Sequence, residues 1–341
     1  MKASLNFFGA LALLGLGAIS LMPLLWRFAP QTVALVPAAP QFAVAAAILT
    51  LLFLALRTWK AAAAALALAL WNVLQFWPAL GDLAPGAPAQ AEGAPAQAAA
   101  APPLKVIALN LWYRNAEPEK TSAYLAASGA DVIGLVEATP RLKAALEPLR
   151  AIYPYGVDCV AQDPSCEIML LSKHPLRQPY AGRIEGRYPY VAEAEIAWAG
   201  RPVTVVMTHL SWPFLLPGDP TRAATSLDPP PPEFSDVPRL TQSLQAANLA
   251  RHVNALPKAL VVMGDFNSAS WSAMQQAFRS ETRLENRGHY RPSWPSWIWP
   301  IFRLPIDHVF VRGGPRVADL RLGPAVGSDH LPIEAEIAVG P

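Results

Sequence analysis

Apolar residues are arranged in two different ways along this chain. Three uncharged apolar runs come first, over Leu5–Trp26, Val33–Leu56 and Ala61–Leu80, each about as long as a membrane-spanning helix. From residue 104 onward, short apolar runs of strand length alternate with stretches whose apolar residues recur at helical spacing. The pattern predicts a helical membrane anchor followed by a mixed α/β domain.

The second part of the chain is predicted to alternate between strands and helices, and most of its strands end on a polar side chain. The predicted helices cover Pro118–Ser128, Thr139 to about Arg150, Arg239–Leu256 and Trp271–Phe278. The predicted strands cover Leu104–Trp112, Asp131–Glu137, Glu167–Ser172, Val191–Trp198, Pro202–His209, a strand from Val261 in which Gly264 lets the chain turn, and Ile306–Val311.

Two stretches contain too few apolar residues to form a core. Residues 81–103 are almost wholly Ala, Pro, Gly and Gln, which predicts a disordered tether that holds the next domain near the membrane without fixing its pose. Residues 213–238 form a long proline-rich loop, which is either functional or disordered. We therefore predict a three-helix anchor over 1–80, a linker over 81–103 and a folded α/β domain over 104–341.

Basic residues in the short loops predict the orientation of the anchor. Lys2 precedes the first run and Arg57 and Lys60 lie between the second and third, whereas only Arg27 lies between the first and second. The positive-inside rule then puts residues after 80 outside the cytoplasm. Lys2 with the first run also resembles a signal peptide, but no small-residue cleavage site precedes Trp26 and two further runs follow. A retained helix is the better interpretation.

Composition and charge narrow the choice of partner. The chain is 53% hydrophobic and only 15% charged, and just six of its charged residues precede residue 104. The remainder carries equal numbers of acidic and basic side chains, so it lacks the net positive charge of a nonspecific nucleic-acid binder. A local basic groove is still compatible with this balance.

The two cysteines, Cys159 and Cys166, leave two interpretations open. They are either unrelated thiols or, if the domain lies outside the cytoplasm, the two halves of a disulfide that closes a short loop. Without histidine neighbours they make a poor zinc site.

Polar side chains that end or interrupt apolar runs recur in several separate stretches. Asp265 and Asn267 lie two positions apart at a strand end, so their side chains point to the same face. An uncompensated charge in apolar surroundings costs several kcal/mol, and its repetition indicates a shared site. Carboxylate and amide oxygens suit a hard divalent cation, and two histidines can serve as acid and base. The candidates are Asn110, Glu137, His209, Asp265, Asn267, Asp307, Asp329 and His330.

The motif Gly-Asp-Phe-Asn at 264–267, followed by Ser-Asp-His at 328–330, resembles the endonuclease/exonuclease/phosphatase superfamily. The resemblance extends over about residues 104–341, and with the anchor the chain is most similar to membrane-anchored bacterial members of the YafD/VanJ type. It implies a four-layer α/β sandwich, in which two facing β-sheets are flanked by helices. It also implies a Mg²⁺ or Mn²⁺ cofactor, with Glu137 as main ligand and Asn110 and Asp329 beside it.

The same resemblance implies roles for the other candidates. Asp265 and Asn267 would position and activate the attacking water and hold the phosphate. His330, oriented by Asp307, would contact the phosphoryl oxygens and take part in acid–base chemistry. His209 resembles the second histidine of the deoxyribonuclease and sphingomyelinase branches, which apurinic endonucleases lack.

Several other residues are given no role in the site. His308 is expected to point to the opposite face of its strand from Asp307. The Trp294–Trp299 stretch would form a substrate rim, enter the membrane interface or simply pack. Surface or loop positions are expected for His174, His252 and His289, and solvent exposure is preferred over phosphate binding for Arg222 and Arg239.

These features together predict a membrane-anchored, extracytoplasmic, metal-dependent phosphoesterase. Its expected partners are the lipid bilayer and a phosphodiester or pyrophosphate substrate, and the anchor, neutral charge and tryptophans favour a lipid-linked one. An extracytoplasmic nuclease is the first alternative, with nucleic acid the less favoured substrate. A tethered envelope-binding protein without catalysis is the second.

Overall fold

The computed structural model describes residues 2–80, 102–163, 165–213, 232–234, 240–286 and 290–340. Several predictions therefore fall outside the described residues. They are those for most of the 81–103 linker and the 213–238 loop, and those for Arg222, Arg239 and His289.

The N-terminal part contains three helices, α1 (Lys2–Leu21), α2 (Ala39–Ala55) and α3 (Trp59–Leu80). With their flanking turns they form three segments long and apolar enough to cross a membrane, which confirms the three predicted apolar helices. Two 3₁₀ segments, Met22–Leu25 and Pro30–Ala38, connect α1 to α2. Each has a proline in its first turn, where the missing amide N–H costs nothing.

Eleven strands lie in the described part of residues 102–340. In chain order they are β1 (Leu104–Asn110), β2 (Val132–Val136), β3 (Tyr155–Asp158), β4 (Ile168–Ser172), β5 (Arg177–Ile184), β6 (Arg187–Trp198), β7 (Arg201–His209), β8 (Leu260–Asp265), β9 (Asp307–Arg312), β10 (Pro315–Leu322) and β11 (Ile333–Val339). One sheet has the order β10-β11-β1-β2-β4-β3 and the other β5-β6-β7-β8-β9. In each sheet the central pair, β1 with β2 or β7 with β8, is parallel.

Four helices cover the outer faces of these sheets. They are α4 (Pro118–Ala127), α5 (Pro140–Ala145), α6 (Thr241–Ala255) and α7 (Ala273–Thr282). The Thr139 hydroxyl caps α5 by accepting from the Leu142 amide, but the helix ends before the predicted Arg150. Pro148 lacks the amide N–H needed to continue an α-helix, and the chain forms a 3₁₀ turn over Glu147–Ala151 instead.

The core has three apolar layers, as the four-layer sandwich requires. The central layer joins both sheets through residues such as Val106, Met207 and Met263. One outer layer packs α4 and α5 on the first sheet, and the other packs α6 and α7 on the second. The predicted fold class is confirmed.

Three strands escaped prediction because they lack a buried apolar run. β3 and β5 are largely exposed, and β10 alternates buried residues with arginine and aspartate. All three are edge strands, where polar and charged side chains protect the open edge. A fourth strand, β11, was also not predicted; it follows the loop of residues 323–332 that carries Asp329 and His330.

The N-terminal helical part, residues 2–80, packs directly against the α/β sandwich. Trp271 donates its indole N–H to the carbonyl oxygen of Val36 at 2.9 Å. Gln41 Nε2 donates to the carbonyl oxygens of Ile301 and Arg303, both at 3.0 Å. Anchor side chains including Phe76 pack with Trp271 in one apolar cluster. These contacts fix a pose that the composition of the linker could not reveal.

Cys159 and Cys166 form a disulfide, with their Cα atoms 5.7 Å apart. The bond closes the short loop between β3 and β4. Of the two interpretations of these cysteines, the structure adopts the disulfide.

Candidate active site

Sheet register places three of the predicted side chains next to one another. His209 at the end of β7 is paired with Asp265 at the end of β8, and Asp265 is paired with Asp307 at the start of β9. On the facing sheet, Asn110 ends β1 and Glu137 directly follows β2. Because each central pair is parallel and the two sheets face each other, these strand ends meet at one edge of the sandwich.

Asp265 lies at the centre of this edge and is only 1% exposed. Its Oδ2 accepts a hydrogen bond from Asn110 Nδ2 at 3.1 Å. The Nε2 atoms of His209 and His330 both lie 3.6 Å from the same oxygen. Its Oδ1 accepts from the backbone amide of Asn267 at 2.8 Å. One carboxylate therefore joins residues from both sheets.

His330 is held by a second buried carboxylate. Its Nδ1 lies 2.8 Å from Asp307 Oδ2, and the hydroxyl of Ser293 donates to the same oxygen at 2.5 Å. With Nδ1 bound in this way, Nε2 is the nitrogen that faces Asp265. Asp307 is thus a positioning residue for His330, and Ser293 is a positioning residue for Asp307.

The electrostatics favour a deprotonated Asp265 and a protonated His330 near neutral pH. Burial, with Asp307 adding to it, raises the pKa of Asp265 to about 6. Burial alone would lower the pKa of His330, but the carboxylates of Asp307 and Asp265 outweigh it and raise this pKa to about 10. Asp265 can therefore accept a proton near neutral pH, while His330 presents a positive charge.

Oxygen donors for a cation lie beside this group. Glu137 Oε1 accepts from Asn110 Nδ2 at 2.8 Å, and its Oε2 accepts from the Tyr113 amide at 2.9 Å. Asp329 Oδ2 accepts from Trp294 Nε1 at 3.0 Å, whereas its buried Oδ1 has no hydrogen-bond partner among the described residues. Burial raises the pKa of Asp329, and Glu137 is near enough to raise it further.

This donor set fits the implied cofactor, because Mg²⁺ and Mn²⁺ prefer oxygen ligands and Asp329 Oδ1, 4.0 Å from His330 Nε2, accepts no hydrogen bond from the described residues. A second arrangement of possible ligands also exists. Asp265, Asp307 and His330 each offer an atom within 4.8 Å of the others. Because Asp307 already binds His330 and Ser293, Glu137, Asn110 and Asp329 are the better candidates to hold the ion.

Two of the site residues have left-handed backbone conformations. Glu137 has φ 56° and Asn267 has φ 48°. Such a conformation costs a side-chain-bearing residue about 1–2 kcal/mol, so the surroundings must hold it. Asn267 is held by its Nδ2, which donates to Leu210 O at 2.8 Å, and by Gln242 Nε2, which donates to Asn267 O at 2.9 Å.

Gly264 does not form the turn that the sequence predicted. It lies within β8, with φ 150°. A Cβ atom at this position would be 1.9 Å from the carbonyl oxygen of Thr208 in β7. The glycine therefore permits close approach of the two parallel strands that carry His209 and Asp265.

Glu167 is a site residue that the sequence reasoning missed. Burial raises its pKa, Glu137 raises it further and His209 opposes this, so the three lie near one another. Glu167 and His209 also line a cavity with Tyr188 and Tyr190, with about 800 Å³ of space not filled by protein atoms, part of it open to solvent. The sequence feature that could have pointed to Glu167 is its position just before β4. That strand runs antiparallel to β2 and therefore starts where β2 ends.

The remaining described histidines make other contacts. His308 is buried, with Nδ1 3.1 Å from Asn286 Nδ2 and Nε2 2.7 Å from Ser268 O, and burial lowers its pKa to about 4. It lies outside the cluster around Asp265. His174 and His252 pair with carboxylates, of Asp131 at 3.1 Å and of Glu193 at 2.7 Å.

Comparison with known proteins gives the same picture of the fold. The model for the Endonuclease/Exonuclease/phosphatase family matches residues 107–330. An endonuclease/exonuclease/phosphatase from Bacteroides vulgatus superposes with a TM-score of 0.54 at 14% identity, covering 69% of this chain and 98% of that one. A conserved protein from Enterococcus faecalis V583 gives a TM-score of 0.53 at 12% identity, covering 69% and 99%. Humanized D. rerio TDP2 gives 0.50 at 14% identity, covering 69% and 98%. Among curated proteins, none matches the chain significantly.

Proposed function

Because the chain belongs to the endonuclease/exonuclease/phosphatase family, we propose that it is a membrane-anchored, metal-dependent phosphoesterase that acts outside the cytoplasm. The substrate that we propose is a phosphodiester or pyrophosphate carried by a lipid. The finer resemblance, to membrane-anchored bacterial members of the YafD/VanJ type, stays a prediction.

The observation that carries the proposal is the environment of Asp265. Its carboxylate lies between two imidazole nitrogens, and its raised pKa suits a group that takes a proton from an attacking water. Asn267 would orient that water or a phosphoryl oxygen. The positive charge of His330 would stabilise the charge that develops on the phosphoryl oxygens. His209, whose Nε2 lies 3.6 Å from Asp265 Oδ2, would protonate the leaving oxygen.

Glu137, Asn110 and Asp329 would hold Mg²⁺ or Mn²⁺, which when bound polarises a phosphoryl oxygen. The three side chains come from both ends of the catalytic sequence, and only the fold brings them together. Asp329 Oδ1 is buried and accepts no hydrogen bond in the described part of the chain, and His330 Nε2 is 4.0 Å away, so a bound cation would supply a closer partner.

The proposed orientation is supported by where the catalytic part packs. Its contacts are with Gln41, at the start of α2, and Phe76, near the end of α3. Arg57 and Lys60 lie at the opposite end of the helices, in the turn from α2 to α3. The positive-inside rule puts that turn in the cytoplasm and the catalytic part on the other side.

A lipid substrate is supported by an exposed aromatic surface beside the anchor. Trp297 and Trp299 are 64% and 79% exposed, and Phe302 lies exposed next to the residues that Gln41 contacts. The Trp297 ring also lies 5.9 Å from that of Trp112, whose amide donates to Asn110 Oδ1. Aromatic side chains of this kind concentrate at membrane interfaces. The aromatic surface thus extends from the anchor to the proposed site.

The test is an activity screen on the purified full chain in lipid nanodiscs. After EDTA treatment, phosphodiesters, lipid phosphates and nucleic acids are offered with and without Mg²⁺ or Mn²⁺. We expect metal-dependent hydrolysis that Asp265→Ala and His330→Ala abolish, while the exposed control Asp319→Ala retains it. Activity that survives both site substitutions would refute the catalytic assignment.

The same screen separates the alternatives. A nuclease should bind its substrate more weakly as salt rises, through release of counterions from the phosphate backbone. A lipid phosphoesterase should depend instead on how the lipid is presented. A wild-type chain that hydrolyses no phosphate ester with any of these metals would support the non-catalytic envelope-binding protein.

A further inference from the structure

A cavity lies between the anchor and the catalytic part, separate from the cavity beside Glu167. It contains about 690 Å³ of space not filled by protein atoms, part of it open to solvent. One wall comes from the 3₁₀ segments of the anchor and the turn between them, and includes Trp26, Val33 and Val36. The opposite wall comes from the starts of α6 and α7 and includes Leu240 and Met274. Neither part of the chain forms this cavity alone.

Apart from Asn267 Oδ1, the polar side chains described below are already bonded to protein atoms. Gln242 Nε2 donates to the carbonyl oxygens of Phe266 at 3.1 Å and Asn267 at 2.9 Å. The hydroxyls of Ser268 and Ser272 bond each other at 2.6 Å. What they leave free is mainly apolar surface, and none of the described residues that line the cavity is charged. These residues offer a polyanion no counter-charge, whereas a hydrocarbon chain placed against them would lose unfavourable contact with water.

Asn267 joins this cavity to the candidate active site. It lines the cavity, its backbone amide donates to Asp265 Oδ1 at 2.8 Å, and its side-chain Nδ2 lies 3.4 Å from His209 Nε2. Asn267 is buried, and its Oδ1 has no hydrogen-bond partner among the residues described. A molecule with its apolar chain in the cavity and its phosphate at Asn267 would therefore have that phosphate beside Asp265.

The cavity also lies where a bilayer lipid could enter it. Pro23, which lines it, lies in the last turn of the first candidate membrane segment, and Trp26, which also lines it, directly follows that segment. Leu24, Leu25 and Phe28 nearby are exposed, Phe28 by 90%. Exposed apolar side chains at the end of membrane-spanning helices are stable when lipid covers them.

We propose that this cavity holds the hydrocarbon chain of a lipid phosphate substrate, so that the anchor forms part of the substrate site. The inference rests on the proposed phosphoesterase function and adds a determinant of specificity to it. The anchor then selects substrates with a long acyl or isoprenoid chain, and the site around Asp265 acts on the attached phosphate.

The first test fills the cavity from the anchor side. Ala34 lines the cavity, so Ala34→Trp should occupy the space of the chain. The matched control is Ala47→Trp, at an exposed position on α2. Two substrates with the same scissile bond are compared in nanodiscs, hexadecyl 4-nitrophenyl phosphate and methyl 4-nitrophenyl phosphate. We expect Ala34→Trp to lower kcat/KM for the hexadecyl ester by about tenfold or more, since several methylene groups lose their buried place, and to leave the methyl ester unaffected.

The second test needs no variant. A hexadecyl phosphate with a diazirine at mid-chain is bound to the wild-type chain, irradiated, and located by peptide mass spectrometry. Label on residues 22–38 together with the 240–274 region supports the cavity. Label confined to the outer faces of α1–α3 overturns it, whatever the variants do.

The cavity proposal and the phosphoesterase proposal on which it rests would fail in different ways. If the wild type hydrolyses the methyl ester but the hexadecyl chain gives no advantage that Ala34→Trp removes, the cavity proposal is wrong and the phosphoesterase stands. If neither ester is hydrolysed with Mg²⁺ or Mn²⁺, the phosphoesterase is wrong. Cleavage of DNA at a rate that Ala34→Trp does not change, with no lipid phosphate hydrolysed, would also overturn the lipid site.

Discussion

Asp265 is the residue on which both sheets and both candidate histidines converge. Its Oδ2 has Asn110 Nδ2 at 3.1 Å and two imidazole nitrogens at 3.6 Å, so its charge matters more than its shape. Asp265→Asn keeps the size of the side chain but removes the proton acceptor. We expect kcat to fall by about 10²–10⁴-fold, the usual contribution of a positioned acid or base. Steady-state kinetics on the best substrate of the screen would measure it.

The control for this substitution is Asp319→Asn, which makes the same chemical change on an exposed edge strand. Circular dichroism should show that both variants keep the fold. An Asp265→Asn enzyme with nearly normal kcat would mean that another group takes the proton.

His308 makes a prediction about stability at acid pH. Burial lowers its pKa to about 4, so it is neutral in the folded chain, while the unfolded chain binds a proton below about 6.5. The unfolded state therefore gains protons first as the pH falls, and stability is lost between about pH 6.5 and pH 4. The loss from this residue amounts to about 2 kcal/mol between pH 8 and pH 5.

The measurement is the thermal midpoint of unfolding at the two pH values. His308→Gln can keep contacts with Asn286 and Ser268 but does not titrate. We expect its midpoint to fall less on acidification than that of the wild type. Equal falls would show that His308 is not the group responsible.

Most of the candidate site could be predicted because its residues end or follow apolar runs, a pattern visible in sequence. Ser293 and Glu167 could not be found in this way. Ser293 lies in an irregular stretch, and its importance comes only from its bond to Asp307. Glu167 precedes its strand, so its place depends on β4 running antiparallel to β2. Contacts set by tertiary pairing leave no local signal.

At the scale of elements, the pairing of β7 with β8 depends on Gly264. A Cβ there would lie 1.9 Å from Thr208 O, a backbone atom that cannot move without breaking the parallel ladder. We expect Gly264→Ala to destabilise the chain by more than about 3 kcal/mol, beyond the roughly 1 kcal/mol of an unfavourable φ alone. Chemical denaturation of the purified chain would measure this difference.

Gly129→Ala is the matched control, because Gly129 also has a positive φ, of 73°, but no atom lies within 4 Å of its added Cβ. We expect Gly129→Ala to lower the free energy of unfolding only by the roughly 1 kcal/mol that an unfavourable φ costs. If the two substitutions destabilise equally, the close approach of β7 and β8 is not what requires the glycine.

The accuracy of the predicted elements follows their burial. β2, β4 and β8 are buried along their whole length and were found within a residue or two. β5 exposes most of its first half, and its sequence has neither an apolar run nor regular alternation. Such an edge strand is fixed by its pairing with β6, which a local pattern cannot show.

At the scale of the whole molecule, the packing of the anchor on the catalytic part was the feature least accessible from sequence. The linker composition indicates a flexible connection, but it carries no information about the packing between the two parts that the linker joins. Trp271 and Val36 are 235 positions apart, and neither belongs to a recognisable motif. Their hydrogen bond and the surrounding apolar cluster give the anchor a defined place beside the site.

A crosslinking experiment distinguishes this docked arrangement from a free tether. Gln41 contacts the backbone of Ile301, so the pair Gln41→Cys with Ile301→Cys should be joined by a short bifunctional thiol reagent in native membranes. The two native cysteines are already bonded to each other and do not compete. Ala47→Cys with Ile301→Cys is the control, since residue 47 lies about 9 Å further along α2. A docked anchor gives rapid crosslinking of the first pair only. A free tether would give slow crosslinking of both pairs at similar rates, and the anchor would then be an attachment rather than a wall of the substrate site.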